Sequence, residues 1–123
     1  MAEHISLGKW GEQVVVDHLV TGGYAIVERN WRLNHLEIDI IATRGNDVAF
    51  VEVKTRRDDF VDPLSAITPS KIRHMVAAAN AYLQMVKLPL RPRFDVAAVI
   101  GDPHSFTLRY VEDAFLPPLR SYR

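Results

Sequence analysis

Between Leu36 and Thr55 the chain reads LEIDIIATRGNDVAFVEVKT, two apolar-rich runs about a polar centre, Arg44-Gly45-Asn46-Asp47. The runs alternate with a period of two, and Gly45 and Asn46 adopt positive φ at low cost, so the stretch predicts a β-hairpin. With the loop centred between Gly45 and Asn46, Ile38 faces Val53, Ile40 faces Val51 and Ala42 faces Ala49 on one apolar side. The other side carries Ile41 opposite Phe50, Asp39 opposite Glu52, and Glu37 opposite Lys54. A slip of one residue would set Ile38 against Glu52 and scatter charge over both faces, which argues for this register.

The flanking pattern supplies the remaining elements. Ser6 is placed to cap a helix in which Leu7, Trp10, Gly11, Val14, His18 and Leu19 recur at helical spacing up to Gly22-Gly23. Gly8 and Gly11 in its interior imply a helix lying tight against a sheet. Tyr24–Trp31 predicts a first strand, joined to the hairpin through Arg32-Leu33-Asn34-His35, with His35 read as a loop histidine. After the hairpin, the polar run Arg56–Pro63 predicts a loop able to close over a pocket or touch substrate. Thr68 and Pro69 then open a second helix with the stripe Ile72, Met75, Val76, Ala79, Tyr82, Leu83 and Val86. Phe94, Val96, Ala98 and Ile100 mark a fourth strand, with Asp95 on its other face as a structural partner for an arginine. Gly101-Asp102-Pro103 turns the chain into a fifth strand, Ser105–Val111. From Glu112 to Arg123, with Pro117-Pro118, a turn or short helix and a frayed end are expected. The order αβββαββ predicts an α/β (α+β) fold: a central mixed sheet of about five strands flanked by helices.

Composition narrows this picture. At 123 residues and 14.0 kDa the chain is expected to form one domain, residues 1–123 with a tail from about 113. The absence of cysteine excludes disulfides and thiolate zinc sites. The start MAEHISLGKWGEQ has no basic segment followed by an apolar run, so a cytoplasmic protein without a membrane span is expected. Fifteen basic and fifteen acidic residues balance, which counts against a non-specific nucleic-acid binder and leaves the distribution of charge to decide. Arg29, Arg32, Arg44, Lys54, Arg56, Arg57, Lys71, Arg73, Arg91 and Arg93 are available to ring an acidic pocket and hold phosphates. Lys71 and Arg73 stand in the first turn of the second helix, against its dipole but in reach of an anion there.

The acidic pocket follows from the hairpin. Opposed carboxylates at about 5 Å and an effective dielectric near 20 repel by roughly 3 kcal/mol. Lys54 offsets one of Glu37, Asp39 and Glu52, leaving an anionic surplus suited to a hard divalent cation with oxygen ligands, Mg²⁺ or Mn²⁺. Such a cation beside a lysine is the equipment of phosphodiester hydrolysis. The plainer alternative is a solvated cross-strand ion-pair network. Ile41 and Phe50 on the same face favour a covered site over it.

Asp39 followed by Glu52-Val53-Lys54 resembles the D…(D/E)-x-K core of the restriction-endonuclease-like superfamily. Glu37-Ile38-Asp39 and Phe50-Val51-Glu52-Val53-Lys54-Thr55-Arg56, with Gly8, Gly11 and Glu12 upstream, resemble the YraN-like family of small bacterial proteins, which is grouped with archaeal Holliday-junction resolvases. The resemblance spans nearly the whole chain. It departs at Leu36, where the family usually has glycine. It implies a restriction-endonuclease-like fold and a metal-dependent nuclease acting on DNA, with branched DNA and a homodimer favoured. It further implies that Asp39, Glu52 and the Val53 carbonyl hold metal with Glu12 and Glu37 assisting. Lys54 then acts on water or the phosphoryl group, and Lys71, Arg56 and Arg73 meet the nucleic acid. The rival class is a nuclease-fold binding or adaptor module without turnover.

Overall fold

The structure, a computed structural model, describes residues 6–58 and 62–117. Its elements run α1 (Leu7–Thr21), β1 (Ala25–Leu33), β2 (Leu36–Arg44), β3 (Asp47–Arg56), a 3₁₀ turn (Pro63–Ala66), α2 (Pro69–Val86), β4 (Arg91–Asp102) and β5 (Ser105–Val111). One five-stranded sheet has the order β1-β2-β3-β4-β5. Neighbours are antiparallel except β3 and β4, whose parallel pairing requires the crossover that α2 supplies. The expected order and mixed sheet are therefore both found. Asp59–Val61, part of the expected substrate loop, and residues 118–123, the expected frayed end, lie outside the described residues.

Local chemistry sets the ends of both helices. The Ser6 hydroxyl accepts from Lys9 N at 3.2 Å, and Thr68 Oγ1 from Lys71 N at 3.1 Å with Pro69 opening the first turn. At the hairpin, Gly45 alone takes positive φ, +61°. That suits a II′-type loop, whose demand falls on its first residue, and Asn46 need not share it.

Each helix covers one face of the sheet. Against α1 lie Ile40, Ala42, Ala49, Val51, Ala97 and Val99, and against α2 lie Trp31, Ile38, Ile41, Val48, Phe50 and Phe94. The inward side of α1 is Gly11, Glu12, Val15, Val16 and Leu19, while His18 is exposed, so the stripe is turned from the predicted one. Three consecutive valines, 14–16, make the neighbouring rotations similarly apolar, and the helix–sheet contact selects among them. A Cβ at Gly11 would collide with the Thr55 side chain on β3, whereas one at Gly8 would meet nothing within 4 Å. The close approach thus belongs to Gly11 alone, and it turns the next residue, Glu12, inward.

Two further departures shape the site. Ile38 packs against α2 although Ile40, two residues on, packs against α1, so the expected single face for both is corrected. The alternation breaks where Asn30 of β1 takes φ +53°, a conformation asparagine tolerates better than most residues. β1 and β2 change phase together, keeping Arg29 paired with Ile40 and Trp31 with Ile38. In addition, the β2–β3 ladder runs from Arg44↔Asp47 to Ile40↔Val51 in the predicted register and ends there. The expected pairs Ile38/Val53, Asp39/Glu52 and Glu37/Lys54 are not formed. β3 continues on β4 alone as far as Arg56↔Ile100, which opens a gap between β2 and β3 at the acidic residues. Beyond β5 the chain turns without a helix over 112–117, fastened by Ala114 N to Phe94 O at 2.7 Å.

Candidate metal centre

Asp39 stands at this gap. Its Oδ2 accepts the Val53 N–H at 2.8 Å, a side chain replacing the lost ladder partner. The N–H and C=O of a strand residue point to the same edge, so the Val53 carbonyl faces the gap as well. Asp39 borders two cavities. One, of about 570 Å³, is lined by Ser6, Gly8, Lys9, Glu12, Asn30, Arg32, Val53, Lys54, Thr55 and Arg56, and the other, of about 160 Å³, by Glu37, Glu52, Lys71 and His74. Asp39 thus borders one cavity beside α1 and another beside α2.

The electrostatics centre on the same residue. Burial pushes the Asp39 carboxyl up to about 7; the Glu52 charge adds to the rise, the Val53 N–H opposes it, and Glu37 and Glu12 raise it further. The other three carboxylates proposed from sequence thus all act on Asp39, Glu52 from across the gap.

Three of these carboxylates have cationic partners. Glu12 Oε1 accepts from Arg29 Nε at 3.2 Å, Arg29 Nη2 at 3.0 Å and Asn30 Nδ2 at 3.2 Å. Glu52 Oε2 lies 3.2 Å from Lys71 Nζ. Glu37 meets Arg32 at 3.5 Å in an exposed pair that contributes little. Lys54 and Arg56 line the larger cavity together with Asp39. Arg73 is exposed on α2 and borders neither cavity, and the expected ring of cations is incomplete at the far end of the hairpin. There Arg44 covers the Tyr24 ring, Arg91 pairs with Asp47, and Arg93 with Asp95. His35 lies beside His74, ring centres 6.1 Å apart and planes tilted by 55°.

Hydrophobic periodicity does not single out Asn30, which shifts the strand phase and touches Glu12, or His74, which lines the smaller cavity. An asparagine inside a β-rich run, where it is disfavoured, was the available signal for the first. His74 carried none, because its place depends on how α2 crosses the sheet.

The carboxylates around Asp39 offer hard oxygen donors, and burial together with their charges disfavours its ionisation, which suits a divalent cation in kind. Among the described residues, no group of three histidine or acidic side chains is gathered closely enough to hold one. The fit is thus one of chemistry and charge, with the carboxylates held by internal cations.

The elements form a mixed five-stranded sheet flanked by two helices in the order αβββαββ, the restriction-endonuclease-like fold, with Glu12 inward on α1 and Asp39, Glu52 and Lys54 near the split between β2 and β3. The structure is similar to that of Hjc, a Holliday junction resolvase from Archaeoglobus fulgidus, with a TM-score of 0.52 and 16% identity, over 86% of this chain and 77% of that one. Likeness at that identity is likeness of fold. The chain belongs to the family described as uncharacterised protein family UPF0102, whose model matches residues 11–99. A UPF0102 protein of Bacteroides fragilis is 46% identical over 120 residues, 97% of this chain and 99% of that one. Another, from Flavobacterium psychrophilum, is 45% identical over 116 residues, 94% and 98% of the two chains. The resemblance read from the motif strings is borne out in family and in fold. No helix of the described residues is long and apolar enough to cross a membrane.

Proposed function

We propose that this protein is a divalent-cation-dependent nuclease that hydrolyses phosphodiester bonds in DNA, with branched DNA its favoured substrate. The observation carrying this reading is the half-buried Asp39 carboxyl, pushed up to about 7 by burial and by the charges of Glu52, Glu37 and Glu12 at a gap that also presents Val53 and Lys54. Asp39, Glu52 and the Val53 carbonyl would hold Mg²⁺ or Mn²⁺, assisted by Glu12 and Glu37. Bound there, the ion lowers the pKa of a coordinated water and offsets charge developing on the phosphoryl oxygens. Lys54, on the same cavity as Asp39, steadies the attacking water or a phosphoryl oxygen. Arg56 at the cavity rim and Arg73 on α2 hold neighbouring backbone phosphates, which fixes register without reading sequence. Two symmetric cuts in a branched substrate require two such sites, so a homodimer belongs to this reading.

Replacing Glu52 with alanine is expected to abolish Mn²⁺-dependent cutting of branched, single-stranded and duplex DNA while leaving the far-ultraviolet circular dichroism of the fold intact. Cutting that survives in Glu52→Ala would refute the assignment. The second reading, a DNA-binding or adaptor module without turnover, is supported by the pairing of Glu12 with Arg29 and of Glu52 with Lys71, which already compensates the acidic charge. Tight binding in gel-shift assays, without metal affinity or cutting in the intact protein, would select it.

A further inference from the structure

Lys71 is held in a place that its own helix does not favour. It is the third residue of α2, where the positive end of the helix dipole repels a cation, and no acidic residue shares that first turn. What it meets is Glu52 on β3, Nζ to Oε2 at 3.2 Å, in a pair whose glutamate side chain is only 16% exposed. The same small cavity is bordered by Asp39 and Glu37, two further carboxylates with no second lysine or arginine among its lining residues. The ammonium therefore occupies the charge position that a divalent ion on Glu52 would take. An ammonium at 3.2 Å and a divalent ion within coordinating reach of the same carboxylate repel strongly in a half-buried setting, so the two occupancies exclude each other.

We propose that Lys71 is a tethered competitor for divalent metal. It neutralises Glu52 in the resting protein and is expelled when the ion binds, which frees a cation at the N-terminus of α2 beside the site. The inference rests on the reading of Glu52 as a metal ligand and deepens it: metal occupancy and the position of a basic side chain become one equilibrium. If Lys71 rests on Glu52 most of the time, the apparent metal affinity is reduced by the fraction of molecules in which Glu52 is unpaired.

Calorimetric titration of Mn²⁺ alone into the full chain tests this with four proteins: the natural sequence, Lys71→Gln, Lys71→Arg and Glu52→Gln. Lys71→Gln is expected to tighten Mn²⁺ binding by about five- to tenfold, Lys71→Arg to leave it near that of the natural chain, and Glu52→Gln to lose it. Unchanged or weaker binding by a folded Lys71→Gln, with binding still lost in Glu52→Gln, overturns the competitor alone. Equal binding by all four proteins, or binding by none, overturns the Glu52 metal site and the competitor with it.

Discussion

Asp39→Asn is expected to make the metal-free protein more stable at pH 8 while abolishing the metal-dependent cutting proposed for it. The Asp39 carboxyl rises from an ordinary 3.8 to about 7 in the folded protein. Below the lower value it is protonated both folded and unfolded, and no penalty arises. As pH climbs through the window between them, the unfolded chain releases the proton more readily, and stability falls until the penalty is complete above about 7. A rise of that size corresponds to at most about 4 kcal/mol. Relaxation and water entry leave an expected gain for Asp39→Asn of about 1–3 kcal/mol at pH 8. Asparagine keeps an oxygen for the Val53 N–H and never ionises, so the gain should shrink towards zero near pH 4. Urea unfolding at both values, with chelator present, checks this. A loss of stability at pH 8, or an equal gain at both values, would show that ionising Asp39 carries no penalty in the folded protein.

Asp95→Ala is expected to cost about 3–5 kcal/mol, a large share of the stability of a domain this size. Asp95 is fully buried on β4. It accepts from Arg93 Nη2 at 2.7 Å and Nε at 2.9 Å, from the Tyr110 hydroxyl at 2.6 Å and from Asp113 N at 3.1 Å. The hydrogen bond from Arg93 to Asp95 holds the guanidinium well above its usual range. Burial, reinforced by the Asp95 charge, raises the Tyr110 hydroxyl likewise. Alanine would leave Arg93, whose side chain is 12% exposed, with Glu112 at 3.8 Å as its remaining ion-pair partner, and would leave the Tyr110 hydroxyl without its acceptor. Replacing both partners by apolar residues, Arg93→Met with Asp95→Leu, should recover much of the loss, because a buried pair and its hydrophobic substitute differ little in net stability. A cost under about 1 kcal/mol for Asp95→Ala in thermal unfolding would deny the network its structural role.

The contrast between these aspartates follows what could be read from the chain. Asp95, alternating against Phe94 and Val96 near Arg93, was recognisable as a structural partner because the pairing is local to one strand. The hairpin register was equally legible from Gly45 and the apolar alternation, since local turn geometry decides it. The identities at the site, Asp39, Glu52 and Lys54, came from the motif. Their arrangement did not, because the period-two alternation that predicts it stops where Asn30 breaks it and where β2 leaves β3 after Ile40. The opening depends on an asparagine in a left-handed conformation in the neighbouring strand and on a side chain replacing a ladder bond. Neither has a period. In the same way, the partners of Glu12 and Glu52 are distant in sequence, and only the docking of α1 and α2 on opposite faces brings Arg29 and Lys71 to them.

The most direct test is a pH titration of the Asp39 side-chain carboxyl by ¹³C nuclear magnetic resonance, in the metal-free protein and again with saturating Mg²⁺. The expected midpoint is near 7 without the ion and well below that with it, since a bound cation favours the ionised carboxylate. A midpoint near 4 without metal, unmoved when Mg²⁺ is added, would contradict the claim that carboxylates are crowded at this gap to receive a divalent ion.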